Sequence, residues 1–107
     1  MKITLEALKI LETIERCGTF ALAAKELFRV PSALTYTIKN LENEFNEQIF
    51  DRGGHRAVLT PFGKKLLTEG KKLLSSAQRL ENSLNIYQSG WEEVSLLHTI
   101  RSFLLRT

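Results

Sequence analysis

A connection of only three residues, Phe28 to Val30, separates two segments that both have the pattern of a helix. The first segment, from Phe20 to Leu27, has two small alanines in its middle, which let another helix approach closely. The second, from Pro31 to about Phe45, begins with proline, which suits the first helical position because the N–H it lacks has no partner there. Two helices joined so tightly must cross at a steep angle, so the connection predicts a helix-turn-helix.

A further helix and a hairpin are predicted on either side of this pair. From Leu5 to Cys17 apolar residues recur at every third position, which predicts a helix capped by Thr4 and ended by Gly18. Beyond the pair, Gly53 and Gly54 stand between two short apolar segments, and glycine adopts the positive φ angles that a tight turn needs. We therefore predict a mainly α fold for residues 1–60, with three helices and a β-hairpin wing: a winged helix-turn-helix.

A long helix is predicted over residues 61–89, with Thr60 as its N-cap and Pro61 at its first position. Its apolar residues alternate steps of three and four, the heptad spacing of helices that pair. Such a stripe cannot be buried inside a small domain, so we expect pairing with a second copy; the alternative is that the stripe folds back on its own domain. Gly70 weakens the helix but would permit a close crossing. The predicted dimerisation residues are Leu66, Leu73, Ala77, Leu80, Leu84 and Tyr87.

The last segment, residues 90–107, is a tail that the pattern does not assign to a structure, although it could form one or two amphipathic turns. Functions other than binding find little support in the chain. The sequence has no paired-carboxylate, Ser-His-Asp or metal-ligand spacing, so we expect neither an enzyme nor a cofactor or metal. Cys17 is the single cysteine and fits a reducing cytoplasm, and no apolar run reaches the roughly 18 residues of a membrane-spanning helix.

If the first part of the chain binds an anion, its basic and acidic residues must lie on different faces. The net charge is +3, but residues 1–59 hold eight basic and eight acidic residues. At 100° per residue, the third helix has an apolar core face that consists of Leu34, Ile38, Leu41 and Phe45. Its other face has no acidic residue and consists of Ser32, Thr35, Tyr36 and Lys39. These groups can contact base edges and phosphates in a major groove, whereas the alternative is a merely solvated face.

The hairpin adds a basic loop next to this helix. Arg52, His55 and Arg56 surround the two glycines. Beside a reading helix, such a loop can contact phosphates or place an arginine in a minor groove. Alone, three basic residues on a turn are usually just exposed to solvent.

Four stretches of the sequence together resemble the N-terminal DNA-binding domain of LysR-type transcriptional regulators. They are LEALKILETIERCGTFALAAKEL, PSALTYTIKNLE, IFDRGGHRAVLTPFG and the long helix that ends near YQSGWE. The resemblance implies a dimer, paired through the linker helix, that regulates transcription from an interrupted palindrome. The third helix would enter the major groove, with reading and anchoring residues Pro31, Ser32, Thr35, Tyr36 and Lys39. The wing would lie at the minor groove, and the contacts there and to the DNA backbone would come from Arg52, His55, Arg56 and Thr60.

Three residues depart from the family pattern. Val30 stands where the family often has a Ser that caps the reading helix, and Ala21 replaces a common Ser or Thr. Tyr36 stands where Arg is common, so a bidentate Arg–guanine contact is missing. From Glu93 onward the sequence does not resemble the effector-binding domain of the family, so no small-molecule effector is expected to bind this chain. A shortened chain could instead be an interaction module that forms heterodimers with full-length relatives and does not regulate by itself.

Overall fold

The fold is given by a computed structural model that describes residues 1, 3–51 and 53–87, and the helical backbone on to Leu104. Arg52, one of the predicted wing contacts, and the side chains of residues 88–107 lie outside the described residues. The chain divides into two units, Met1–Leu74 and Ser75–Thr107. The elements in chain order are α1 (Leu5–Cys17), α2 (Phe20–Glu26), α3 (Pro31–Phe45), β1 (Phe50–Asp51), β2 (Val58–Leu59) and α4 (Pro61–Leu104). The predicted three helices, hairpin and long helix are thus all present.

The core of the first unit lies among α1, α2 and α3. Its most completely buried large side chains are Leu8, Leu11, Ile14, Leu34, Leu41 and Ile49. On α3 the predicted core residues Leu34, Ile38 and Leu41 are buried, as expected. Phe45 was assigned to the same face, but it is 42% exposed and contacts only the edge of the core, with its ring 5.9 Å from that of Phe62. The prediction for Phe45 was wrong: it is the last residue of α3, and its ring lies beside Phe62 rather than in the buried core.

Threonine side chains cap the beginnings of α1 and α2, and the sequence predicts the first of these caps. The Thr4 hydroxyl accepts a hydrogen bond from the Ala7 N–H (3.0 Å), and the Thr19 hydroxyl accepts one from the Leu22 N–H (3.1 Å). Gly18 ends α1 with a φ of 89°, a left-handed conformation that glycine adopts without steric cost. These caps hold the turn between α1 and α2 in one conformation.

The wing is a two-stranded antiparallel ladder in which Phe50 pairs with Leu59 and Asp51 with Val58. The predicted hairpin is therefore confirmed, but the reason given for it was wrong. Neither Gly53 nor Gly54 has a φ in the left-handed region. The described residues 53–57 have no regular secondary structure, and the Asp51 carboxylate accepts the Gly53 N–H (3.1 Å), so no tight glycine turn is needed.

The start of α4 packs closely on the winged domain. The Thr60 hydroxyl accepts the Gly63 N–H (3.0 Å), so Thr60 is the predicted N-cap. A Cβ on Gly63 would lie 2.1 Å from the Ile49 carbonyl oxygen, and a Cβ on Gly70 would lie 2.8 Å from Leu8 Cδ2. The close crossing predicted for Gly70 is confirmed, and Gly63 makes a second one that the sequence reasoning did not identify.

The helix continues past its predicted end near residue 89 and reaches Leu104. The tail assigned to residues 90–107 is therefore helical in its backbone as far as Leu104. None of the helices in the described part of the chain is both long and apolar enough to cross a membrane.

Candidate nucleic-acid interface

The polar face predicted for α3 is present and open. Its five assigned residues are all exposed: Pro31, Ser32, Thr35, Tyr36 and Lys39. Tyr36, the aromatic residue of this face, is 69% exposed. The faces of this helix therefore separate as the 100° spacing predicts.

The hydroxyl groups of both threonines of α3 make hydrogen bonds within the helix. The Thr35 hydroxyl donates to the Pro31 carbonyl oxygen (3.2 Å), and the Thr37 hydroxyl donates to the Ala33 carbonyl oxygen (3.1 Å). In this conformation the Thr35 hydroxyl proton is engaged within the helix, and the side chain presents acceptor lone pairs and a methyl group to solvent.

The first turn of α3 is weakly polar. Val30 precedes it in an extended conformation, and its hydrocarbon side chain cannot make a capping hydrogen bond. Pro31, the first residue of the helix, has no N–H. The Ala33 N–H donates to the Val30 carbonyl oxygen (3.0 Å). The N–H of Ser32 belongs to the first turn, which has no helical carbonyl before it to bond, so it can bond an incoming anion.

The wing is fastened at its base to the turn between α1 and α2. The Ala57 N–H donates to the Gly18 carbonyl oxygen (2.8 Å). The Arg56 guanidinium lies against Gly18, since a Cβ on that glycine would be 2.6 Å from Arg56 Nη2. His55 and Arg56 are both exposed, so the described basic residues of the wing face solvent from a fixed base.

A cleft of about 240 Å³ lies between α3 and the wing and brings the two predicted contact surfaces together. Thr35 and Lys39 line it from the helix, and His55 and Arg56 line it from the wing. Its apolar floor includes Phe20 and Phe50, whose rings meet edge to face with centroids 5.4 Å apart. Residues that are separated by about twenty positions in sequence thus border a single concave surface.

Glu42 is a structural residue of this site that sequence reasoning missed. Although it is an acidic residue near the end of α3, it is only 8% exposed. Its carboxylate accepts the Ile49 N–H (2.8 Å) and so connects α3 to the segment that leads into β1. The signal was available, because at 100° per residue Glu42 falls at about 280°, between the polar face and the core face.

Two ion pairs join α1 to the helix-turn-helix. Arg16 pairs with Glu26 of α2, and Arg29 pairs with Glu6. Hydrogen bonding from the Arg16 guanidinium holds the pKa of the Glu26 carboxyl below its ordinary value. The charge of Arg29, close to the start of α3, is therefore compensated within the chain. Lys39 and Arg56 line the cleft together with the acidic residues Glu42 and Asp51.

Thr60 is engaged within the protein. Its hydroxyl donates toward the carbonyl oxygens of Gln48 and Ile49 while it accepts the Gly63 N–H. These bonds place the end of the wing against the start of α4. The predicted contact of Thr60 with the DNA backbone stays a prediction.

The predicted dimerisation residues differ in their surroundings. Leu66 is half-buried and packs against the core of the first unit, and its neighbour Leu67 is buried there. Ala77 is half-buried. The remaining members are more than half exposed in the chain: Leu73, Leu80, Leu84 and Tyr87.

Comparison with known proteins identifies the family. Residues 5–64, more than half of the chain, match the family described as bacterial regulatory helix-turn-helix protein, lysR family. The probable HTH-type transcriptional regulator YhaJ of Escherichia coli (strain K12) is 48% identical over 90 residues, which are 84% of this chain and 30% of that protein. A probable RuBisCO transcriptional regulator of Nostoc sp. is 37% identical over 108 residues, covering 98% of this chain and 32% of that protein.

A solved structure gives the same result for the fold. The crystal structure of a BenM_DBD/catB site 1 DNA complex superposes with a TM-score of 0.77 at 27% identity, over 82% of this chain and 95% of that one. The chain spans about a third of the length of the curated relatives it matches. On the family match and on the identity to these regulators, the chain belongs to the LysR family of bacterial regulatory helix-turn-helix proteins.

Proposed function

We propose that this chain binds double-stranded DNA in a sequence-specific manner, as a homodimer, and regulates transcription from an interrupted palindrome. The observation that carries the proposal is the acid-free, exposed face of α3 and its position beside the basic wing, across one cleft. The relatives are transcriptional regulators, and the BenM domain of similar fold was crystallised with DNA. The proposed site of action is the cytoplasm.

Within this proposal, α3 enters the major groove and the wing lies at the adjacent minor groove. Tyr36 and Thr35 contact base edges, Tyr36 through its hydroxyl and Thr35 through its hydroxyl or methyl group. Lys39 binds a phosphate as a point charge. His55 and Arg56, together with Arg52, bind phosphates or the minor groove, whose negative potential attracts arginine.

The dimer forms through α4 in this proposal. Leu73, Leu80, Leu84 and Tyr87 have heptad spacing and are more than half exposed in a single chain. Burying such side chains stabilises a complex by roughly 1.5–3 kcal/mol for each large one, which is the driving force for pairing. Two copies of α3 on one duplex then require two half-sites, so an interrupted palindrome is expected.

A second function rests on the same exposed stripe. A partner helix with heptad spacing need not be a second copy, so the chain could form heterodimers with full-length relatives and keep them from regulating. Co-purification with a full-length relative, combined with the lack of any preferred DNA sequence, would favour this alternative over the main proposal.

The test combines an unbiased selection of bound DNA sequences with binding titrations at several salt concentrations. In Lys39→Ala, affinity should fall for all DNA, and the slope of log K against log salt should become less steep by about one. The matched control is Lys71→Ala, an equal loss of charge at an exposed position of α4, which should leave the slope unchanged. Equal effects of the two changes, or selection of no common sequence, would contradict the proposal.

A further inference from the structure

The charges that border the cleft between α3 and the wing balance each other. Among the described residues that line it, Lys39 and Arg56 bring two positive charges, and Glu42 and Asp51 bring two negative charges. The same balance holds for residues 1–59 as a whole, which contain eight basic and eight acidic residues. The side chains that are charged at neutral pH therefore sum to zero on this surface.

One further residue of the cleft can change this sum. His55 is exposed, lines the cleft beside Arg56, and also borders a second concavity of about 510 Å³ on the wing. Histidine is the side chain whose charge ordinarily changes between about pH 5 and pH 8. With a neutral imidazole the formal charges of the described lining residues sum to zero, and with a protonated imidazole they sum to +1. A single proton thus decides whether this surface has a positive charge.

The fold keeps His55 close to the cleft. Two residues after it, the Ala57 N–H donates to the Gly18 carbonyl oxygen (2.8 Å). Two residues before it, the Gly53 N–H donates to the Asp51 carboxylate (3.1 Å). The backbone on both sides of His55 is therefore fastened to the domain, so the imidazole stays near the place where DNA is proposed to bind.

The charged groups that face His55 come from three elements. They are Lys39 and Glu42 of α3, Asp51 of β1, and Arg56 of the wing loop. Each of the two carboxylates accepts a backbone N–H, at 2.8 Å for Glu42 and 3.1 Å for Asp51. The free domain thus surrounds the imidazole with two charges of each sign, whereas a bound phosphate would add a negative charge that the free domain lacks.

We propose that His55 couples DNA binding to the uptake of a proton, so that affinity for DNA rises as the pH falls from about 8 to about 5.5. The proposal rests on the proposed DNA-binding function and names a regulation of that same site. Phosphates and the minor groove both attract a protonated histidine, and a nearby negative charge favours the protonated form. The complex therefore holds the proton more firmly than the free protein, which makes binding tighter on the acidic side.

The experiment measures the dissociation constant of the full chain for its selected DNA site, at constant salt and at several pH values from about 5.5 to about 8. Toward the acidic end the affinity should rise roughly three- to fivefold for each half-site, the effect of one exposed ion pair. The slope of log K against log salt should become steeper by about one for each wing that contacts a phosphate. Calorimetry in two buffers of different ionisation enthalpy should show proton uptake on binding.

Protein variants assign the effect to one imidazole. His55→Gln is polar but uncharged, so its affinity should stay low across the whole pH range. His55→Arg is charged throughout, so its affinity should be as high at the basic end as at the acidic end. The matched control is His98→Gln, a change of the other histidine of the chain, which should keep the native pH dependence. Circular dichroism at both ends of the range checks that each variant is folded.

The outcomes separate the inference from the function beneath it. Sequence-specific binding that is independent of pH, or that weakens on acidification, would overturn the inference and leave the function standing. A pH effect of native size in His55→Gln, or one that disappears in His98→Gln, would overturn it as well. Lack of any sequence-specific binding at every pH would overturn both the inference and the proposed function.

Discussion

The part of α4 from Pro61 to Gly70 and the part from Leu73 to Tyr87 have the same apolar spacing but different surroundings. In the first part, Leu67 is buried and two glycines allow the helix to touch the Ile49 carbonyl and the Leu8 side chain. In the second part, the large apolar side chains are more than half exposed. The heptad spacing therefore does not tell which partner covers the apolar side chains. The first part packs on the core of its own chain, whereas the second part leaves its apolar side chains exposed in a single chain.

The largest effect is expected from closing the gap that Gly63 leaves. Gly63→Ala would place a methyl group 2.1 Å from the Ile49 carbonyl oxygen, which is backbone and cannot move aside cheaply. We expect the free energy of unfolding to fall by about 3 kcal/mol or more in a urea titration. Gly54→Ala, which has open space around its Cβ, is the control and should change stability by less than ~0.5 kcal/mol. Equal stability of the two variants would mean that α4 does not begin against β1.

A smaller effect is expected from leucine substitutions in the two parts of α4, one of which should change stability and the other self-association. Leu67→Ala removes a buried side chain and should lower the free energy of unfolding by about 2–3 kcal/mol. Leu80→Ala, at 60% exposure, should leave the stability of a single chain nearly unchanged but weaken self-association in sedimentation equilibrium. The comparison would be refuted by a Leu80→Ala variant that loses monomer stability while its association is unaffected.

The smallest effect is expected from two exposed ion pairs, one between two helices and one within a single helix. Arg16–Glu26 joins α1 to α2, whereas Glu69–Lys72 lies within α4, and each lysine or arginine partner lowers the pKa of its glutamate by hydrogen bonding. A folded-state pKa below the unfolded value adds stability that is present above the unfolded pKa and lost as pH falls through the folded pKa. Both pairs are exposed, so solvent screens the gain and the effect stays small.

The pH prediction is tested with Glu26→Gln and its control Glu69→Gln. Native stability should exceed that of Glu26→Gln near neutral pH, and the difference should shrink as pH falls below about 4.5, the ordinary glutamate value. The Glu69→Gln difference should have the same sign and be smaller, because its bond lies within one helix. A difference that grew on acidification would contradict the assigned direction of the pKa shift.

Helix periodicity predicted much of the fold and of the candidate site. The two faces of α3 follow from 100° per residue, and the caps Thr4, Thr19 and Thr60 follow from side-chain chemistry that acts within a few residues. Local rules of this kind need no knowledge of the rest of the chain. For the same reason, the pattern located the hairpin but gave the wrong geometry for Gly53 and Gly54.

The misses concern contacts between elements that are distant in sequence. The burial of Glu42 depends on the Ile49 N–H, and the close approach at Gly63 depends on the Ile49 carbonyl. Neither partner can be recognised before the chain is folded. The long helix was predicted to end near residue 89, yet its backbone continues through Ser89 and Gly90.

The hydrogen bond from the Ala57 N–H to the Gly18 carbonyl oxygen holds the base of the wing at a set distance from α3. The wing is fastened at its base to the rigid body of the domain, so the separation between the wing and α3 is a constant of the fold rather than a property of the loop. If α3 and the wing contact DNA as proposed, the base pairs at α3 and the flanking bases at the wing keep one fixed offset. Residues inserted at the loop tip would leave that offset unchanged, whereas a substitution of Gly18 would change it.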